Sequence, residues 1–269
     1  MKKSTKNFIL IIFLIFGSFD FYNKDSEWSV TGNVIRSFNP DHGIKIANWN
    51  LQIFGTKKAD NQLLMNSYAE KIKGYDIIFV QEIRDSSDTA FNKLCLMLPG
   101  YNCEISSRAG RSSSKEQYGI IYNNTIKLNF IKDFNPDSLD RWERPPIEAG
   151  FNLGAYNITI FNIHIKPDDV KNELNYLDDV ALNKKNTLVF GDLNMDCTYY
   201  DHSKENEFSN WSFIIKDTDD TTSGPSNCAY DRIILSDELN NKFIKYGIDT
   251  DVNKEQSDHY LVWFEIKSE

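Results

Sequence analysis

A chain of 269 residues with 41% hydrophobic content, 18 Phe and 13 Tyr can fill a large core, which excludes a disordered or fibrous polypeptide. No stretch after residue 22 is long and apolar enough to span a bilayer as a helix. A formal net charge of −9 argues against a uniformly basic nucleic-acid-binding surface and leaves any polyanion contact to a local patch.

The N-terminus, MKKSTKNFILIIFLIFGSF, has a lysine-bearing start and an uncharged run from Phe8 to Phe19, about the length of a signal-peptide apolar core. We therefore expect a signal peptide over 1–22, a polar lead-in over 23–43, and a secreted or periplasmic protein. An uncleaved membrane anchor is the alternative, because no small-x-small cleavage site follows. From residue 44 to 269 no Pro/Gly/Ser linker, low-complexity tract or fixed repeat divides the chain, so one domain is expected.

Runs rich in Ile, Val, Phe and Tyr predict strands at 44–49, 76–82, 102–106, 118–123, 157–165, 186–191, 229–235 and 259–267. A helix is expected over 60–73, with Asp60 as N-cap and Leu64, Tyr68 and Ile72 on one face. A second is expected over 168–183, with Val170, Leu174, Leu177 and Ala181 on one face. Helices and strands alternate early and strands dominate later, which by itself allows α/β or α+β.

Polar clusters stand at the ends of these apolar runs: QE at 81–82, GDLNMDC at 191–197 and SDHY at 257–260. Carboxylates, amides and imidazoles delivered to one rim are what metal-assisted attack on a phosphodiester needs. Of the four histidines, His42 and His202 lie in polar stretches and read as surface residues, whereas His164 and His259 each stand near a possible carboxylate partner. Arg84, Arg108, Arg111, Arg141 and Arg144 are five of the seven arginines, a clustering that suits phosphate contact. Four cysteines in an exported chain suggest disulfides.

The segments IKIANWNLQIFG (44–55), YDIIFVQEIRDS (75–86), GRSSSKEQY (110–118), FNIHI (161–165), GDLNMDCTY (191–199), NCAYDRI (227–233) and SDHY resemble, in that order, the endonuclease/exonuclease/phosphatase superfamily. NCAYDRI and the GR…KE loop are similar to its deoxyribonuclease I branch. The resemblance spans about residues 44–266 and implies an α+β fold, a four-layer α/β/β/α sandwich of two packed mixed sheets. It implies a metal-dependent endonuclease that cleaves DNA to 5′-phosphate products with low sequence specificity.

Residue by residue, the resemblance makes Glu82 the principal Mg²⁺ (or Mn²⁺) ligand, supported by Asn50, with Asp192, Asn194 and Asp258 as oxygen donors around the scissile phosphate. It pairs His259 with Asp231 and His164 with Glu116, one imidazole to activate water and the other to protonate the leaving oxygen. Tyr199 and Tyr230 would contact phosphate oxygens, and Arg84, Arg111 and Arg144 the DNA groove. Asp220 and Thr222 are candidates for a structural Ca²⁺ site. Cys197 and Cys228 match a bridged pair, a closure worth about 3–4 kcal/mol in the chain-entropy model. Cys95 and Cys103 could form a local bridge or stay as buried thiols. DNA is the expected partner of a monomer with no stable membrane association once the signal is removed.

Two departures stand out. Ser114 occupies the place of a groove-packing tyrosine, and segment 132–146 lacks the small disulfide-closed loop of mammalian-type enzymes, with consequences for duplex grip and for a second calcium site. Rival expectations are a phosphoesterase of the same superfamily acting on lipid or sugar phosphates, and a nuclease-like toxin subunit.

Overall fold

The computed structural model describes residues 43–182, 184–204 and 206–268; the expected signal peptide, the lead-in up to residue 42 and His42 lie outside them. Two six-stranded sheets are built from consecutive stretches of the chain, the last two strands returning to the first sheet. The first contains β1 (Ile44–Phe54), β2 (Ile77–Ile83), β3 (Tyr101–Ile105), β4 (Gln117–Asn123), β11 (Phe243–Asp249) and β12 (Leu261–Ile266), in the order β11-β12-β1-β2-β4-β3. The second contains β5 (Lys127–Asp133), β6 (Ile147–Asn152), β7 (Asn157–Asn162), β8 (Thr187–Asp192), β9 (Ser212–Phe213) and β10 (Asp231–Leu235), in the order β5-β6-β7-β8-β10-β9.

Each sheet has one parallel pair at its centre, β1 with β2 and β7 with β8, and the other pairings are antiparallel. A parallel pair needs a crossover, and a helix supplies each. The short α1 (Thr56–Ala59) and α2 (Gln62–Ile72) join β1 to β2; α4 (Val170–Ala181), entered through a 3₁₀ turn at Pro167–Asp169, joins β7 to β8. Two short helices, α3 (Thr89–Leu96) and α5 (Asp237–Asn240), complete the set.

The apolar residues sort into three bodies. Alternate residues of both sheets, Ile46, Phe79, Ile120, Ala149, Ile160, Phe190 and Phe264 among them, fill the space between the sheets, where Phe79 and Phe190 meet edge to face at 5.1 Å. The opposite face of the first sheet packs on α2 and α3 through Leu64, Tyr68, Ile72 and Phe91. The opposite face of the second packs on α4 through Val170, Leu174, Leu177 and Ala181. The α+β four-layer expectation is borne out, as are the helix faces.

Some local expectations change. Asp60 caps the C-terminus of α1; the N-cap of α2 is Asn61, whose side chain accepts the Leu64 amide at 3.1 Å. Strands β5 and β11 were not expected because they are sheet edges in which no residue is buried, with little apolar alternation to read. Strand β6 (IEAGFN) hides its buried character behind Glu148 and Gly150, and β9 is only two residues long. Cys95 and Cys103, left open above, are bridged, joining α3 to β3.

Candidate active site

Parallel βαβ units collect functional groups at the carboxyl ends of their strands. Here β1 carries Asn50 where its regular pairing with β2 breaks, β2 carries Glu82 next to its end, β7 runs on to His164, and β8 ends on Asp192. The antiparallel neighbours start where these end: Asp231 of β10 pairs with Asp192, and Asp258 and His259 precede β12, which lies beside β1. Residues far apart in sequence thus reach one edge of both sheets.

Bulges aim the metal-side groups. The β1–β2 ladder breaks between Asn50 and Phe54, and the β2–β4 ladder between Val80 and Ile83. Within the breaks Gln52, Ile53 and Glu82 take left-handed φ values of 45°, 56° and 59°, a costly conformation for a β-branched residue above all. The turned backbone lets the Ile53 amide donate to Glu82 Oε2 at 2.9 Å and the Gln52 amide to Asn50 Oδ1 at 2.9 Å. Asn50 Nδ2 then reaches Glu82 Oε1 at 3.2 Å. Lys58 braces this corner, its ammonium donating to the carbonyls of Leu51 and Gln256, both at 2.8 Å. Burial lowers Lys58 to about 8 despite the nearby charges of Asp258 and Glu82.

The two imidazoles face each other across one oxygen. His164 Nδ1 lies 2.8 Å from Glu116 Oε2 and His259 Nδ1 lies 2.7 Å from Asp231 Oδ2. Each Nε2 is 3.4 Å from Asp192 Oδ2, which also accepts Asn50 Nδ2 at 3.0 Å. A carboxylate on Nδ1 fixes the tautomer and orients Nε2. Burial works against the charge on Glu116, but His164, Arg144 and Arg84 outweigh it and bring its carboxyl down to about 2. Asp192 is held below its ordinary value in the same way, burial being outweighed by His259, His164 and the Asn50 amide. Burial would discharge His259; Asp231 and Asp192 outweigh it and push the imidazole up to about 10.

A buried amide floor sets these distances. Gln81 Oε1 accepts the Asp192 amide at 2.9 Å and Asn48 Nδ2 at 3.3 Å, while its Nε2 donates to Ile163 O at 2.7 Å and Asn162 Oδ1 at 3.3 Å. Asn162 Nδ2 donates to Asn48 Oδ1 at 2.8 Å, and Asn48 reaches Asp231 Oδ1 at 3.5 Å. With its capacity for four bonds met, such a network rigidifies its surroundings. Gly191 makes room for it: at φ 143°, a Cβ there would sit 2.1 Å from Ile163 O and 2.6 Å from Gln81 Nε2. Asn48 and Asn162 were not singled out in the sequence, although two amides inside the apolar runs IANWN and FNIHI were a visible signal.

The remaining candidates fall in two groups. Asn194, with φ 49°, donates its side-chain amide to Ile165 O at 2.9 Å, and Asp258 lies with Oδ1 4.0 Å from His259 Nε2, so both are at the site. Tyr199 and Tyr230 stack obliquely at 5.5 Å beside the Cys197–Cys228 disulfide. Asp220 and Thr222 form a tight turn, Asp220 Oδ1 accepting the Thr222 amide and hydroxyl at 3.0 Å, and Thr222 bridges to the His259 backbone.

The arginines are held on protein acceptors. Arg84 Nη2 lies 3.2 Å from Glu82 Oε2 and 2.8 Å from Glu116 Oε1; Arg144 is mostly buried on the His164 and Ile165 carbonyls; Arg111 binds Asp140 and Glu143. His202, read above as a surface residue, is half-buried, with Nε2 3.1 Å from Met195 O and 3.2 Å from Asp217 Oδ1; partners distant in sequence draw it inward.

Glu82, Glu116 and His164 can bring ligand atoms within 4.8 Å of one another. Glu116 is buried and engaged by His164 and by the Arg84 guanidinium; Glu82, also 3.2 Å from Arg84, is partly exposed beside the buried Asn50, and the Asp258 carboxylate is exposed. Carboxylate and amide oxygens with no thiolate suit a hard divalent cation such as Mg²⁺ or Mn²⁺.

Residues 47–259 match the model of the Endonuclease/Exonuclease/phosphatase family. Human deoxyribonuclease-1 is 30% identical over 260 residues, covering 83% of this chain and 92% of that protein. Among solved structures, a Bacteroides thetaiotaomicron mannosyl-6-phosphatase superposes with a TM-score of 0.61 at 18% identity, over 83% of this chain and 99% of the other. A 3′-5′ exonuclease from Neisseria meningitidis does so with 0.60 at 14% identity, over 83% and 100%.

Proposed function

The chain belongs to the endonuclease/exonuclease/phosphatase family, in its deoxyribonuclease I-like branch, and on that premise we propose that it is an exported, divalent-metal-dependent endonuclease. It hydrolyses DNA phosphodiester bonds to 5′-phosphate products with low sequence specificity. In this reading residues 1–22 direct export, 23–43 form a lead-in, and 44–269 are the catalytic domain, acting as a monomer. The two disulfides support an oxidising compartment.

One observation carries the proposal: two carboxylate-backed imidazoles from opposite sheets that point Nε2 at a single oxygen of Asp192. A scissile phosphate seated there would have a proton acceptor on one side and a donor on the other. One of His164 and His259 takes the proton of the attacking water, and the other gives a proton to the leaving 3′ oxygen. Glu116 and Asp231 stabilise the imidazolium forms, and Asp192, with the Asn194 amide, orients the water. A divalent cation held by Glu82 and Asn50, with Asp258 beside them, would supply positive charge against the phosphate oxygens. A Ca²⁺ at Asp220 and Thr222 would rigidify the turn behind His259. Tyr199 and Tyr230 flank the phosphate track, Arg111 reaches the groove, and Arg84 and Arg144 contribute charge from below it.

Plasmid nicking with Mg²⁺, with Mn²⁺ and with EDTA, set beside a lipid phosphodiester and a sugar phosphate monoester, tests the proposal. Metal-dependent nicking with turnover of the other two at least about 10²-fold lower is expected, a gap of roughly 3 kcal/mol in the barrier. Preferred cleavage of the lipid or the monoester would overturn it.

A further inference from the structure

Glu173 is fully buried on the core face of α4, among Val170, Leu174 and Leu177, where an apolar side chain would be the ordinary choice. Its two oxygens each accept one backbone amide from a different segment: Oε1 from Glu143 at 2.7 Å and Oε2 from Lys166 at 3.1 Å. Its own carbonyl accepts Trp142 Nε1 at 2.9 Å. The helix therefore ties the loop 142–144 to the segment 164–166 that continues from β7.

Arg144 spans these two segments. Nε donates to His164 O at 2.9 Å and Nη2 to Ile165 O at 3.1 Å, and Nη1 lies 3.5 Å from Glu116 Oε1. Glu116 in turn holds His164 Nδ1. Glu173 thus reaches the imidazole by two routes, through the Lys166 amide two residues beyond it and through Arg144 and Glu116, without touching a metal-side oxygen donor.

We propose, on the proton-transfer role inferred above for His164, that Glu173 is a positioning residue: its carboxylate clamps segment 142–144 to segment 164–166, seats Arg144, and so sets the His164 imidazole. The clamp works as an anion, because a protonated acid presents a hydroxyl to one of two amide donors. Burial pushes the Glu173 carboxyl up to about 7, against the pull of the two amides and Arg144 and with Asp169 raising it further. Tyr118 and Arg111 are the other titratable groups that sense its charge. Because a positional shift alters the reacting geometry more than ground-state binding, the consequence falls on kcat.

The test compares Glu173→Gln with the parent on duplex DNA and on a small aryl phosphodiester, with Mg²⁺, alongside thermal unfolding. We expect kcat to fall about 10- to 100-fold on both substrates, KM to move less than about threefold, and Tm to stay within a few degrees. The parent-to-variant ratio of kcat should shrink as pH drops below about 7, where the parent's own clamp is neutralised. In an Arg144→Ala background the Glu173→Gln change should add little further loss. Glu173→Asp keeps the charge but is too short to reach both amides, and it should show the same pattern at smaller size. If the parent cleaves neither phosphodiester, the proposed function fails. If the parent cleaves and either variant keeps parental kcat, loses activity only in step with unfolding, or multiplies with Arg144→Ala, the clamp is refuted.

Discussion

Replacing Glu116 by Gln separates the electrostatic frame of the site from its chemistry. The carboxylate is 2% exposed and accepts His164 Nδ1 at 2.8 Å, Arg84 Nη2 at 2.8 Å and Arg144 Nη1 at 3.5 Å. It stands at about 2 against an ordinary 4.5. At about 1.4 kcal/mol per pH unit, that difference corresponds to about 3 kcal/mol of stability. Because the folded value is depressed, the contribution is present above pH 4.5 and is lost as pH falls toward about 2. Glu116→Gln should therefore lose about 3 kcal/mol at pH 7, a Tm decrease of roughly 6–12 °C for a chain of this size. The deficit should narrow steadily between pH 4.5 and 2, as the parent carboxylate protonates. Urea unfolding of both proteins across pH 3–7 reads this out directly. In the same variant, nicking should drop by about 10²–10⁴-fold, because an amide holds the imidazole in a different tautomeric balance and does not stabilise its charged form. A variant as stable as the parent at pH 7, or a deficit that does not change with pH, would show that the charge on Glu116 is not what holds Arg84, Arg144 and His164 together.

His164→Ala and His259→Ala should each reduce plasmid nicking by about 10²–10⁴-fold with the near-ultraviolet circular dichroism retained; activity within a few-fold of the parent in either would contradict the proton-transfer roles. The charge that Asp231 and Asp192 keep on His259 adds stability that is fully present below pH 6.5 and declines as pH rises through about 10, so parental Tm should fall over that window more than that of His259→Ala. Removing the Cys197–Cys228 bridge, which closes 31 residues, should cost about 4 kcal/mol, against about 2–3 for the 8-residue Cys95–Cys103 loop; denaturant midpoints of the paired Cys→Ala variants rank the two, and the reverse order would refute the loop-entropy account. Ser114→Tyr should lower KM for duplex DNA and weaken its salt dependence, since aromatic contact with nucleic acid is worth roughly 1–3 kcal/mol and is less screened than an ionic grip. An equal effect on a small phosphodiester would mean that the loop does not meet the groove.

The amino-acid sequence by itself determined the strands whose apolar runs are dense, the core faces of α2 and α4, and the strand-end placement of Asn50, Glu82, His164, Asp192 and His259. These are local properties: periodicity of two or 3.6 and the polar residue that ends an apolar run are written within a dozen positions. Glu173 was legible in the same terms, an acid three residues after Val170 on the apolar face of its helix, but its partners were not. Only the tertiary structure decided that His164 and His259 meet at one oxygen of Asp192, that Asn48 reaches Asp231 across 183 residues, and that Arg84 and Arg144 turn inward onto Glu116. It also decided that Cys95 pairs with Cys103 and that β5 and β11 are strands although none of their own residues is buried. The physical reason is the same in each case: a buried polar group must find a partner, and an edge strand a ladder, and which one is available depends on the packing of two sheets rather than on neighbours in the chain.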